Sequence, residues 1–251
     1  MIDKLVHNTA IVSPEATVEA DVEIGPYCII HSNVTIKSGS RIGAFCELGI
    51  ETKLGDGSPL IIGARAQIRS HSIFYEASSF GDDLTTGHRV TVRENTHAGE
   101  NFQIGTLCDI QGDTQIGNYV RLHSNVHIGK KSTIGHFVWI FPYVVLTNDP
   151  HPPSNILTGP EIEDYAVIAT MSVILPGVRV GRGAFIGAHS SLKDDAEPGM
   201  LYVGSPAKNI GNASRIKLQD GTNRPAYPWT THFSRGYPDK IVKAWSLTEK
   251  E

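Results

Sequence analysis

The sequence predicts an all-β solenoid, a parallel coil of short strands wound around one narrow core, and three observations predict it. First, an aliphatic residue recurs every six positions at Val12, Val18, Ile24, Ile30, Ile36, Ile42 and Leu48. The period resumes at Ile62 and holds without a slip to Leu146, then returns from Ile162 to Leu192. Second, a small or slim residue follows four places after each: Ala16, Val22, Cys28, Val34, Ser40, Cys46. Third, the 251 residues include 25 glycines while aromatics make up only 8%. That composition suits many tight turns around a core of small aliphatic side chains.

A period of six matches neither the 3.6 of a helix nor the 2 of a flat strand. It matches short strands joined by sharp corners, each hexad forming one side of a triangular prism. Three hexads close one coil, so residues eighteen apart stack at about 4.8 Å, the interstrand spacing. Pairs such as Ile24-Gly25, Ile104-Gly105, Ile116-Gly117, Ile134-Gly135 and Ile186-Gly187 open many hexads, and glycine is expected there to ease the backbone bend. The hand of the coil does not follow from the period, since parallel crossovers are normally right-handed. The coil is expected over residues 1–200, with loops at 49–61 and 147–161, and a tail over 201–251.

The same stacking accounts for the three cysteines. Cys28 and Cys46 are eighteen apart and Cys108 holds the equivalent small inward site, so all three read as buried structural thiols. An odd cysteine count without metal-type spacing suits a reducing compartment. A net charge of -4 with scattered charges argues against nucleic acid as partner. No apolar stretch reaches the length of a membrane span, and Met1 to Lys4 lack a signal peptide's layout, so no membrane association and a cytoplasmic address are expected.

A solenoid carries function where its regularity breaks. The richer break is Thr147-Asn148-Asp149-Pro150-His151-Pro152-Pro153-Ser154-Asn155. Proline cannot continue a strand ladder, and Asn148 and Asp149 place an amide and a carboxylate at the corner. Asn148 stacks over Lys130, Gly112 and Glu94, and Asp149 over Lys131, Asp113 and Asn95, so one edge of the prism carries a polar ladder. A solvated corner would use the same residue types.

Over Val12 to Ile210 the sequence resembles the hexapeptide-repeat, left-handed β-helix acyltransferases. The resemblance rests on the hexads, on Ile174-Leu175-Pro176-Gly177-Val178 and on the closing segment Val203 to Lys208. Within that superfamily it is most similar to the nucleotide-linked 3-amino-sugar N-acetyltransferases. The closer likeness lies in Thr86-Gly87-His88, Val92-Arg93-Glu94, Thr106 to Gln111, His123-Ser124-Asn125-Val126, Leu146 to Pro150 and Tyr227-Pro228-Trp229. The resemblance implies a left-handed coil, a homotrimer with acetyl-CoA in the groove between neighbouring prisms, and a dTDP- or UDP-linked amino sugar as acceptor. It implies acetylation of an amino group, at C3, in the making of cell-surface polysaccharide such as O-antigen or S-layer glycan. One departure stands out: a relative's acidic group one coil below the Asn-Asp pair is Lys130 here.

Acetyl transfer to an amine needs an unprotonated nucleophile, a positioned thioester and donors for the developing oxyanion. His123, at an outward place in its hexad, is the first candidate base, and Asn148 and Asp149 are candidates to orient the amine. Acceptance of the proton by the CoA sulfur or by water stays open. For the cofactor, Ala169 stacks with Gly187 and Thr170 with Ala188, small residues that would let backbone N–H groups approach pantetheine; coil corners also need small residues in any case. Gly204, Ser205 and Pro206 would bend across the CoA arm, with Lys208 near its phosphates. Arg93, Glu94 and Asp109 are sugar-nucleotide contacts by resemblance. Three rivals remain: an O-acetyltransferase on the same scaffold, a metal hydratase of the γ-carbonic anhydrase kind, and a non-catalytic scaffold. The second would need three converging histidine nitrogens, whereas histidines on alternate faces of a hexad point apart, so no metal is expected.

Overall fold

The computed structural model describes residues 5–248. Met1 to Lys4, and the outer limits of the two expected segments, therefore lie outside the described residues. Short strands, most of two or three residues, assemble into three sheets of ten, nine and eleven strands. Successive strands go to different sheets in rotation. The result is a parallel β-solenoid of about 11 turns that matches a left-handed β-helix of hexapeptide repeats.

The register is the one the period demands. Thr85 pairs with Gln103, Gln103 with Arg121 and Arg121 with Trp139 on one face. Thr91 pairs with Asp109 and Asp109 with His127 on the second. The two interruptions shift the pairing without breaking it: Leu48 pairs with Phe74, and Ile134 with Ile162. The loops leave the column and return to the same wall.

The inward aliphatics from Ile24 to Leu192 form one continuous buried core. Where larger rings enter, neighbours shrink: Phe74 and Phe80 meet edge-on at 5.3 Å, and Ala98 pairs directly above Phe80. Thr86, an inward polar residue, is satisfied by accepting from the Arg69 amide. The second small position holds side chains that cap turn carbonyls. Cys28 Sγ donates to the Gly43 carbonyl, Cys108 Sγ to that of His123, and Ser172 Oγ to that of Gly187. All three cysteines are free and buried.

The role expected for glycine needs correction. Left-handed backbone falls three places after the inward aliphatic, mostly on non-glycine residues such as Tyr27, Phe45, Leu107, Tyr119 and Tyr143. Glycine directly after the aliphatic answers a different demand, the close approach of the next coil. A Cβ on Gly105 would lie 2.4 Å from the His123 carbonyl carbon and the Ser124 nitrogen, both backbone atoms.

The boundary expected at residue 200 falls inside a strand. Met200–Gly204 pairs parallel to Phe185–Ile186 and then turns back into antiparallel Ala207–Asn212, so the sheet ends at Asn212. Beyond it come 3-10 turns at Ala213–Arg215 and Trp229–Thr231 and one helix, Asp239–Thr248. This tail is held by aromatic packing. Trp229, Tyr237 and Trp245 cluster with Tyr119 and Val167 of the coil, with Phe137, Trp139 and Phe185 beside them. Among the described residues no helix is long and apolar enough to cross a membrane.

Candidate functional site

The sequence-predicted residues fall on two edges of the prism. His123 follows the strand Arg121–Leu122, and its amide donates to the Ile140 carbonyl. The same bond joins Phe141 to Ile168, Ala169 to Ile186 and Gly187 to Tyr202. His123, Phe141, Ala169 and Gly187 therefore form one column, and the candidate base shares an edge with the candidate cofactor residues. Thr170 and Ala188 lie one place further round the same corner.

That ladder changes which amides are available. The N–H groups of Ala169 and Gly187 are spent on the next coil, whereas those of Thr170 and Ala188 have no protein partner among the described residues. Gly187 leaves little room beside it, since a Cβ there would lie 2.7 Å from Val203 Cγ1. Past it, Gly204 takes a left-handed φ of 99° and donates to Ser190 Oγ. It opens a tight turn in which Ser205, Pro206 and Lys208 are exposed. The closing turn is thus formed by the chain itself.

His123 stacks on Phe141 at 4.6 Å and lies 5.9 Å from the Trp139 ring. Burial pushes its imidazole below the usual range, so the neutral form is favoured. It lines two adjoining cavities. One, of about 410 Å³, runs along the face past Arg69, Gln103 and Arg121. The other, of about 230 Å³, is roofed by the tail residues Tyr227, Trp229, His232, Phe233 and Arg235. The hexads do not mark this roof, which lies beyond their last repeat. The signal that could have found it is the crowding of aromatics into residues 227–245 of a chain otherwise poor in them.

Asn148 and Asp149 stand on another edge, after the strand Val145–Leu146 of a different sheet. Within one chain no hydrogen bond or ring contact joins them to His123. Asn148 sits over Gly129, and its side-chain amide has no protein partner among the described residues. Asp149 is engaged in its own loop: Ser154 donates from its hydroxyl at 2.7 Å and its amide at 3.0 Å, and the His151 amide donates at 3.1 Å. The Ser154 hydroxyl holds the Asp149 carboxyl below the usual carboxylate range. Asp149 is therefore a loop organiser in this conformation.

Below that pair the expected polar ladder is a knot of charges. Glu94 is fully buried, with Arg93 Nε donating at 3.0 Å and Lys130 Nζ at 3.4 Å. Lys130 also pairs with Asp113 at 3.1 Å. It reaches past Gly112, where a Cβ would stand 2.4 Å from the Glu94 carbonyl oxygen. The carboxylate of Glu94 therefore faces protein donors and has no surface on which to meet a sugar nucleotide. Arg93 and Lys130 are the counter-ions of that buried charge. Asp109 is half-buried and paired with His127 at 3.2 Å, and Gln111 donates to it at 2.6 Å. Among the described residues no three His, Cys, Asp or Glu side chains gather to hold a metal ion.

Known proteins share the repeat and the coil. Residues 15–50 match the family model "Bacterial transferase hexapeptide (six repeats)". The chain is 31% identical over 205 residues to the bifunctional protein GlmU of Thermotoga sp. strain RQ2, covering 81% of this chain and 44% of that protein. It therefore spans less than half the length of such relatives. It is 29% identical over 214 residues to an acyl-[acyl-carrier-protein]–UDP-N-acetylglucosamine O-acyltransferase of Campylobacter concisus, covering 81% of this chain and 72% of the relative. In fold it is similar to the UDP-N-acetylglucosamine acyltransferase of Arabidopsis, with a TM-score of 0.56 and 19% identity over 82% of this chain and 74% of that one. The Campylobacter jejuni enzyme of the same description gives 0.52 and 18% over 98% and 83%.

Proposed function

We propose that this hexapeptide-repeat chain is an acyltransferase that moves an acetyl group from acetyl-CoA to the amino group, at C3, of a dTDP- or UDP-linked sugar used for cell-surface polysaccharide. The observation that carries the reading is the shared column of His123, Phe141, Ala169 and Gly187, which aligns a neutral imidazole with a corner of small residues. Acetyl-CoA supplies an activated acyl group. The chain's tasks are to bind, to orient and to move one proton.

The free amides of Thr170 and Ala188 suit an amide-rich pantetheine arm lying along that corner. The turn Gly204-Ser205-Pro206 bends over its far end, and exposed Lys208 meets the phosphates. His123 takes the proton from the amine as the nitrogen attacks. A single straight prism offers no deep cleft for two large substrates, so the site is completed by packing of prisms in a homotrimer. The edge bearing Asn148, Arg93 and Asp109 of one protomer then faces the His123 edge of its neighbour. There the unpaired Asn148 amide orients the acceptor amine, with Asp149 shaping the loop that carries it.

The acid limb of kcat/KM is expected below 6.5, because burial penalises the imidazolium. The folded state binds fewer protons at His123 than the unfolded chain, so its share of stability falls as the pH drops below that value. Rates measured from acid to neutral pH check this, and a limb centred above 6.5 would remove His123 as the titrating base.

A second reading, transfer to a hydroxyl, is favoured by the likeness to the O-acyltransferase of Campylobacter concisus. Thiol release from acetyl-CoA, measured against dTDP- and UDP-linked 3-amino, 4-amino and hydroxy sugars, separates the two. Turnover confined to amino sugars supports the proposal. Turnover on the hydroxy sugars alone replaces it with the second reading, and thiol release with none of them defeats both.

A further inference from the structure

The tail does more than cover the last coils. It closes an aromatic chamber beside His123 whose polar inventory is incomplete. Trp139 and Phe141 form its floor, and Tyr227, Trp229 and Phe233 its roof. Trp139 gives its own Nε1 hydrogen to the Tyr237 hydroxyl at 3.1 Å. Trp229 has no such outlet: the residue is only 6% exposed, and its Nε1 is buried with no hydrogen-bond partner among the described residues. A buried donor left unpaired costs about 1–3 kcal/mol, so an acceptor arriving from outside would relieve it.

The adjoining groove carries a second unmet demand. Arg121 is 5% exposed and has no carboxylate within ion-pair distance among the described residues. Its guanidinium donates to the main-chain and side-chain oxygens of Asn101 and lies 5.1 Å over the Tyr237 ring. Neutral oxygens and a ring face leave its charge uncompensated, an expensive arrangement for a buried cation. Arg69 lines the same groove, and His123 and Trp139 are common to groove and chamber.

We infer that the chamber and groove together bind a pyrimidine nucleoside diphosphate, the ring between the aromatic walls and the phosphates toward Arg121. This rests on the reading of a nucleotide-linked acceptor and assigns where its nucleotide sits. The walls offer stacking, and a small turn of the enclosed Trp229 indole would bring its N–H to a ring carbonyl oxygen. Size favours one ring: a cavity of about 150 Å³ holds benzene, and this one, near 230 Å³, has room for a six-membered ring with its substituents. An acyl chain would fill the walls but leave the Trp229 donor unpaired and Arg121 unneutralised.

The test is calorimetric titration of the intact protein, without acyl donor, with dTDP, UDP, GDP, inorganic pyrophosphate and decanoate. A pyrimidine diphosphate is expected to bind at least tenfold more tightly than GDP or pyrophosphate. Trp229→Phe keeps the ring and removes the donor. It should weaken pyrimidine binding about fivefold to twentyfold while holding or raising the melting temperature of the unliganded protein. If that variant does not fold, Arg69→Gln decides, since this exposed guanidinium lines the groove assigned to the phosphates and its loss should weaken nucleotide binding at least fivefold without affecting folding. Equal affinity for GDP, decanoate displacing the nucleotide, or unchanged pyrimidine binding in the deciding variant overturns the inference. Acetylation of a sugar nucleotide with Trp229→Phe binding unchanged sinks this assignment alone. Nucleotide binding sensitive to Trp229 without acyl transfer upholds it and sinks the acyltransferase reading.

Discussion

Replacing His123 with Asn should lower turnover well over tenfold while leaving the oligomer intact, within the roughly 10²–10⁴ range of a general base. Asn keeps a polar group near the same place but accepts no proton at neutral pH. The change also removes a ring stacked 4.6 Å from Phe141, so packing has to be told apart from chemistry. Two measurements do so. A structural role would lower the melting temperature and leave the acid limb of the rate profile in place. A catalytic role would flatten that limb and leave size-exclusion behaviour and melting close to those of the parent. Near-normal turnover would hand the proton to solvent or to the CoA sulfur.

Gly105→Ala should destabilise the coil by about 1–3 kcal/mol, and by more if the backbone cannot shift. The new Cβ would stand 2.4 Å from two backbone atoms of the storey above and 2.7 Å from the His123 carbonyl oxygen, none of which is a flexible side-chain end. The same atoms support His123, so activity should fall along with melting temperature. Gly187→Ala provides the contrast. Its nearest obstacle is the Val203 Cγ1 methyl at 2.7 Å, which can turn aside. Its stability cost should be the smaller of the two, and its effect should appear as a raised KM for acetyl-CoA. Thermal unfolding of both variants checks the order, and equal losses would contradict the packing argument.

How much of this was legible beforehand follows from what repeats. Residues that obey a period announce their position, so the walls, the core from Ile24 to Leu192 and the structural thiols could be read from spacing alone. The column uniting His123 with Ala169 and Gly187 was implicit in the same arithmetic. What the spacing hid was direction and reach. Lys130 spans two storeys to bury Glu94 because Gly112 leaves a gap, a three-body fact invisible in pairwise offsets. Glycine after each aliphatic read as a bend-former, although the bend falls two places later and the real demand is clearance. The tail has no period at all. Its docking depends on rings far apart in the chain, such as Trp139 and Tyr237, meeting in space.

Between the interruptions the eighteen-residue register has a further consequence. Each storey there offers the same outward frame, so a side chain transplanted eighteen positions keeps its orientation and moves only about 4.8 Å along the axis. Chemistry on such a shaft is therefore adjustable in fixed increments, as on a graduated rod. Moving the imidazole from position 123 to 141 would shift it by one graduation relative to the cofactor corner, which makes acceptor length a quantity the chain can set by counting.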